Sequence, residues 1–125
     1  MLYDARFVGF IPVSDLDQAR AFYCDLLGLR LVERSPVAVV VDAGGVSLRL
    51  TEVPDLQPQA FTIAGWLVDD MASVMESLAS RGVPIKRYEG MPQDARGVWT
   101  APNGDRVAWF EDQDGNVLSI TGEIT

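Results

Sequence analysis

The sequence has no histidine among its 125 residues. That excludes an imidazole-ligated metal centre and any nucleophile that needs a histidine base. Cysteine occurs once, at Cys24, so an internal disulfide is impossible, which points to a reducing, cytoplasmic setting. Basic residues are scarce beside acidic ones. Ten Lys and Arg face eighteen Asp and Glu, for a formal net charge of −8. Nucleic-acid binding draws most of its affinity from basic side chains on phosphates, and no basic cluster stands out, so a nucleic-acid partner is not expected. The acidity reads either as a solubilising surface or as a field that attracts a cationic small molecule. Long apolar runs are missing too. None reaches the roughly 18 residues of a membrane span, so no membrane partner is expected. The opening Met1–Arg6 lacks the basic end and apolar stretch of a signal peptide.

What is present is a globular composition, 48% hydrophobic and 22% charged, of a length suited to one domain over 1–125. Its organising feature is an internal repeat. Val13-Ser14-Asp15-Leu16 and Val68-Asp69-Asp70-Met71 stand 55 positions apart, each after a short apolar stretch and each opening a helical pattern. In the first, Ser14 is expected to cap, with Asp17 three residues on. Leu16, Ala19, Phe22, Tyr23 and Leu26 mark one helical face, and Gly28 closes it. In the second, Asp69 is expected to cap, Met71, Val74, Met75 and Leu78 form the face, and Gly82 closes.

After each helix the period becomes that of strands. Leu29–Arg34, Val37–Val41 and Val46–Val53 follow the first, with Asp42-Ala43-Gly44-Gly45 as a turn. Ile85–Tyr88, Val107–Glu111 and Val117–Thr121 follow the second, with Val98–Ala101 as an extra candidate. Ahead of the helices lie Phe7–Val13 and Phe61–Val68. The expectation is an α+β chain of two tandem βαβββ modules, about 5–53 and 60–122, joined by a linker at 54–59. Their sheets would form a concave half-barrel cleft with the helices on the outer faces.

With these residues in view, the chain resembles the vicinal oxygen chelate superfamily of glyoxalase I, bleomycin-resistance proteins and extradiol dioxygenases. The resemblance rests on Val13-Ser14-Asp15-Leu16-Asp17, Ala21-Phe22-Tyr23 and Leu26-Leu27-Gly28-Leu29 in the first half. In the second half it rests on Val68-Asp69-Asp70, Arg81-Gly82-Val83 and Asp112-Gln113-Asp114-Gly115-Asn116-Val117. It spans about Phe7 to Ile120, and Gln113 departs from the more usual proline. Metal-bearing members take one ligand from the opening strand and one from the closing strand of each half, usually histidine and glutamate. The resemblance puts those four positions at Val8, Arg49, Ile63 and Ser119. None of these side chains suits a divalent ion, so it implies a metal-free member with no cofactor. Carboxylates such as Glu111 or Glu52 show no convergent spacing for magnesium.

Strand alternation predicts what faces the cleft instead. Val8, Phe10 and Pro12 share a face on the opening strand, with Ile63, Gly65 and Leu67 on its repeat. Arg49 and Thr51 share one on the first closing strand, and Val117, Ser119 and Thr121 on the second. Trp109 and Glu111 are placed inward, while Trp99 and Tyr88 lie in an irregular segment that overhangs. For Phe10, Trp66, Phe110 and Phe22 packing in the core is the expectation; for Trp109 and Trp99, core and cleft stand even. Arg49 needs a partner, either Glu111 or another acid in a structural ion pair, or a ligand. Cys24 has no base to activate it, and Asp15, Asp17, Asp69 and Asp70 belong to helix starts rather than to catalysis.

Three readings follow. The first is a binding module that sequesters an apolar or aromatic organic ligand, with a cationic one as an option, in a homodimer as the resemblance implies. The second is a metal-independent lyase or isomerase that uses Glu111 or Tyr88 for proton transfer. The third is an interaction module without a ligand.

Overall fold

Asp15 and Asp70 open the two helices in the same way. Asp15 accepts a hydrogen bond from Gln18 N at 2.9 Å, and Asp70 accepts one from Ser73 N at 3.0 Å. This comes from a computed structural model of the chain that describes residues 1–123. The caps thus fall one residue later than Ser14 and Asp69, by the same amount in both halves. The strands before the helices run to Val13 and Val68, so the next residue is used in leaving the strand. The following aspartate, in extended conformation, is then the residue that satisfies the open N–H groups of the first turn. Asp17, freed from a capping role, pairs with Arg34 at 3.2 Å.

The first helix, α1 (Leu16–Arg20), does not continue as one regular helix. It widens into a π-helical stretch, Ala21–Leu26, in which Leu27 N reaches back five residues to Phe22 O. The wider turn rotates Tyr23 fully into the core beside Leu16 and Ala19, with Phe22 half-buried and edge-on to it at 5.2 Å. The second helix, α2 (Met71–Ser80), is regular and buries Met71, Met75 and Leu78. Gly28 and Gly82 end the two helical segments.

Two compact units result, Met1–Gln57 and one beginning at Pro58, with the boundary inside the segment 54–59. The first holds a four-stranded sheet of β1 (Val8–Val13), β2 (Arg30–Arg34), β3 (Ala38–Asp42) and β4 (Ser47–Glu52), in the order β1-β4-β3-β2. β1 and β4 are parallel and the other pairs antiparallel. The second unit repeats the plan with β5 (Thr62–Val68), β6 (Trp99–Thr100), β7 (Arg106–Glu111) and β8 (Val117–Gly122), in the order β5-β8-β7-β6. β5 and β8 are the parallel pair. Each unit is therefore βαβββ, and the chain is α+β.

Each sheet has one face packed under its own helix. In the first unit that face carries Ile11, Val13, Val39, Val41, Leu48 and Leu50, all buried. In the second it carries Ala108, Phe110, Leu118 and Ile120. Each fully buried Leu, Ile or Phe contributes about 1.5–3 kcal/mol, so these rows of alternating residues hold the sheets to the helices. The residues between them in sequence form the opposite face, called the open face below.

One expected strand is absent. Ile85–Tyr88 makes a single bridge, Ile85 to Phe110, and a backbone bond from Lys86 N to Trp109 O. The other end of that edge of β7 is taken by β6, from the extra candidate Val98–Ala101. The backbone of Tyr88 is diverted because its N–H is taken at 2.8 Å by the side chain of Gln93. The Asp112–Asn116 motif is a closed turn. Asp112 Oδ1 accepts from Asp114 N and Asn116 N, and Oδ2 from Asn116 Nδ2 at 2.8 Å. Both end residues are buried, and their mutual bonds satisfy polar atoms that burial would otherwise penalise.

Candidate ligand-binding site

The open face of the first sheet presents Val8 and Phe10 from β1 and Arg49 from β4. Register places Phe10 directly beside Arg49, and the guanidinium lies 5.8 Å from the ring centre. Phe10 is 59% exposed, so the expectation that it packs in the core is corrected: Ile11 and Val13 fill that core from the other side of the strand. Arg49 is exposed and stacks on an aromatic face, which relieves the cost expected of a charge on a central strand. A recess of about 460 Å³ opens beside it, bordered by Val8, Val32, Val46, Arg6, Arg30 and Arg49. Arg30 is fixed by Asp42 at 3.2 Å, its register partner on β3. The Asp42 carboxyl is held below the usual carboxylate range, first by the Gly45 N–H and then by Arg30.

The open face of the second sheet carries Gly65 and Leu67 from β5, Val117, Ser119 and Thr121 from β8, and Trp109 and Glu111 from β7. Trp99, opposite Val107, joins the same face. Three aromatics meet there. Tyr88 stands edge-on to Trp109 at 5.4 Å, and Trp99 lies 6.1 Å from Trp109 at 35°. All three are half-buried. Leu67 is 71% exposed, whereas Val117 is buried. Ile63 departs from simple alternation. Thr62 pairs with Val117 and Ala64 with Leu118, so Ile63 is the extra residue of a bulge and has no partner position on β8.

Glu111 is exposed and paired with Lys86 at 3.2 Å, and the same ammonium lies 5.6 Å from the Tyr88 ring. Sequence reasoning missed both Lys86 and Gln93. Gln93 accepts from Tyr88 N and donates to Lys86 O at 2.8 Å and Gly97 O at 2.7 Å, which fixes the segment that carries Tyr88 and leads to Trp99. No periodic signal marks a glutamine in irregular chain. Arg6 and Arg30 were also missed. The register of β2 against β3 would have brought Arg30 to the Asp42 turn, but nothing in the sequence pairs Arg6 with it. The Cys24 thiol is half-buried, and desolvation raises its pKa despite nearby Arg20.

The four positions that the resemblance assigns to metal ligands do not fit a divalent ion. Val8 and Ile63 have no donor atom, Ser119 offers one neutral hydroxyl, and Arg49 brings a positive charge. Among the described residues, no three His, Cys, Asp or Glu side chains converge elsewhere. No chemical step is therefore routed through a metal.

A sequence model of the glyoxalase/bleomycin resistance protein/dioxygenase superfamily matches residues 6–120. No curated protein sequence matches the chain. Among solved structures, the bleomycin resistance determinant encoded on transposon Tn5 is 23% identical with a TM-score of 0.76, over 96% of this chain and 98% of that one. The antibiotic-binding protein TnmS3 from a Streptomyces species is 24% identical with a TM-score of 0.73, over 99% of both chains. A lactoylglutathione lyase from Agrobacterium tumefaciens is 22% identical with a TM-score of 0.71, over 95% and 93%. At such identities these neighbours share the fold. The two βαβββ units and the family match over nearly the whole length agree, and the chain belongs to the glyoxalase/bleomycin resistance protein/dioxygenase superfamily.

Proposed function

We propose that this chain is a small-molecule binding protein of the glyoxalase/bleomycin-resistance type, which sequesters an apolar or aromatic organic ligand without a metal. The observation that carries the reading is the half-buried group of Tyr88, Trp99 and Trp109 on the open face of the second sheet. Stacked and edge-on aromatic contacts are worth about 0.5–1.5 kcal/mol each beyond area burial. A planar ligand that meets two such rings gains specificity without any reacting group. The fold neighbours that include a bleomycin resistance determinant and an antibiotic-binding protein support the same reading. So do the exposed Val8, Phe10 and Leu67, apolar side chains suited to cover by a ligand or a second copy. The proposed assembly is a cytoplasmic homodimer. No described helix is long and apolar enough to cross a membrane.

Sequestration asks only for affinity. A dissociation constant near 1 μM corresponds to about −8.2 kcal/mol, which aromatic stacking and burial of an apolar ligand surface can supply. The alternative, a metal-independent lyase or isomerase, would use Glu111 or Tyr88 for proton transfer, with Lys86 bonded to Glu111 at 3.2 Å and 5.6 Å from the Tyr88 ring centre. The deciding experiment is tryptophan fluorescence titrated with planar aromatic compounds, followed by product analysis of any compound that binds. The binding reading expects saturable quenching, weakened severalfold by Trp109→Phe, and unchanged ligand recovered at the end. Conversion of the ligand that Glu111→Gln abolishes would establish the enzyme instead.

A further inference from the structure

The whole chain carries a net charge of −8, yet the recess on the open face of the first sheet is locally positive. Arg6, Arg30 and Arg49 border it, and Asp42 is the one acid among its lining residues. Both oxygens of that acid are committed. Oδ2 takes Arg30 at 3.2 Å, and Oδ1 takes Gly45 N at 2.6 Å in the turn between β3 and β4. Among the described residues, neither Arg6 nor Arg49 has an ion-pair partner, and Arg49 instead rests on the Phe10 ring. Two guanidiniums uncommitted to any acid therefore share one concavity with Val8, Val32 and Val46.

From this arrangement we propose that the first-sheet recess takes an organic anion, with a carboxylate or phosphate held by Arg49 and Arg6 and an apolar body laid against Val8, Val32 and Val46. The inference rests on the reading of the chain as a binding protein and names the chemistry of what it binds. The volume, about 460 Å³, is that of a small-molecule site. The guanidinium fork matches a planar or tetrahedral oxyanion through two parallel hydrogen bonds, which an ammonium cannot do. Arg30, already paired, supplies field rather than a direct fork and is a positioning charge for the pair. The acidic remainder of the surface does not oppose this. Charges farther away than about 8–10 Å are screened at physiological salt, so the neighbouring guanidiniums set the local potential.

The test is calorimetric titration of the intact chain with three probes: 1-naphthoate, its uncharged analogue 1-naphthamide, and inorganic phosphate. The proposal expects naphthoate to bind at least about tenfold more tightly than the amide, with an affinity that falls as salt is raised. Arg49→Gln should lower naphthoate to the level of the amide. Arg49→Lys should recover only part of the loss, since it keeps the charge and loses the fork. Arg6→Gln should give a smaller loss in the same direction. Arg49 is exposed, so these variants are expected to fold, and unchanged melting temperatures will show it. Phosphate binding that depends on Arg49 also supports the site and shows that the anion alone suffices. Equal affinity for naphthoate and amide, unaffected by Arg49→Gln, overturns the anion site and leaves the binding-protein reading standing. No binding of any probe overturns the anion site as well, while the fluorescence titration of the aromatic face judges the broader reading separately.

Discussion

Gly65 on β5 lies directly opposite Ser119 on β8, and a Cβ at position 65 would overlap the Ser119 hydroxyl. β5 is the edge of the second sheet and β8 the strand inside it, so this close approach seats the edge strand tightly against the neighbour of β7. Ser119 is also the register partner of Trp109 on the other side. Gly65→Ala is expected to destabilise the chain by about 1–2 kcal/mol through overpacking. Because the obstructing atom is the small Ser119 hydroxyl, Ser119→Ala in the same chain should restore part of the loss. Denaturant unfolding of the two single variants and the double variant checks the coupling.

The helix caps give a sharper test of the local register. Asp70→Ala should cost about 1 kcal/mol, because it removes the acceptor for Ser73 N at the start of the ten-residue α2. Asp69→Ala should cost much less, since Asp70 holds the cap. Equal costs at the two positions, measured by thermal unfolding, would contradict the observed cap.

Gln93 is expected to be the most sensitive polar residue near the aromatic group. Gln93→Ala removes three hydrogen bonds to the backbone at Lys86, Tyr88 and Gly97. At about 0.5–1.5 kcal/mol each, the loss should amount to roughly 2–3 kcal/mol. The variant should also alter tryptophan emission, since Tyr88 then loses its fixed position against Trp109. A variant with unchanged stability and spectrum would show that the segment is held by something else.

Acid should loosen the same segment. The Asp94 carboxyl lies below its ordinary pKa, chiefly because Val98 N donates to it, with a further bond from Arg96 N. A carboxyl depressed on folding adds stability above its unfolded value, about 3.9, and loses it as pH falls toward the folded value. Stability should therefore decline below about pH 4, and Asp94→Asn should remove that part of the decline. Unfolding curves measured between pH 7 and 3 give the comparison.

The parts of the fold that were legible in the sequence are those that one period governs. Alternation on β1 and β4 separates Ile11, Val13, Leu48 and Leu50 from Phe10 and Arg49, and the structure buries the first set while leaving the second exposed. The same alternation puts Trp109, Ser119 and Thr121 on one face of the second sheet. What was not legible depends on side chains that compete for backbone. Ile85–Tyr88 has the composition of a strand, but Gln93 claims the Tyr88 N–H and leaves a single bridge. Alternation also fails at Ile63, where a bulge inserts one residue. The π-helical turn after Arg20 leaves no pattern of its own, since one wider turn shifts the face by less than a residue.

Arg49 lies exposed on the central strand β4 and stacks on a ring. A charge on a central strand was expected to need an acid or a ligand; among the described residues Arg49 has no acid partner, and its guanidinium lies over the Phe10 ring. Phe10→Ala should leave overall stability within about 1 kcal/mol, as an exposed cation–π contact is worth about 0.5–1 kcal/mol. It should nevertheless weaken organic-anion binding, because it frees the guanidinium to move. Calorimetry with 1-naphthoate and thermal unfolding of the same variant separate the two effects.

The central claim, metal-free binding of an organic ligand, is tested most directly by thermal unfolding with a panel of aromatic and charged organic compounds, and with divalent metals alongside. A ligand present at about a hundred times its dissociation constant adds roughly 2.7 kcal/mol of stability. The account predicts that at least one organic compound raises the melting temperature by several degrees, that divalent ions do not, and that Trp109→Phe or Arg49→Ala reduces the shift. Stabilisation by a divalent ion, with no organic compound effective, would contradict it and turn attention from Val8, Arg49, Ile63 and Ser119 to a different set of ligands.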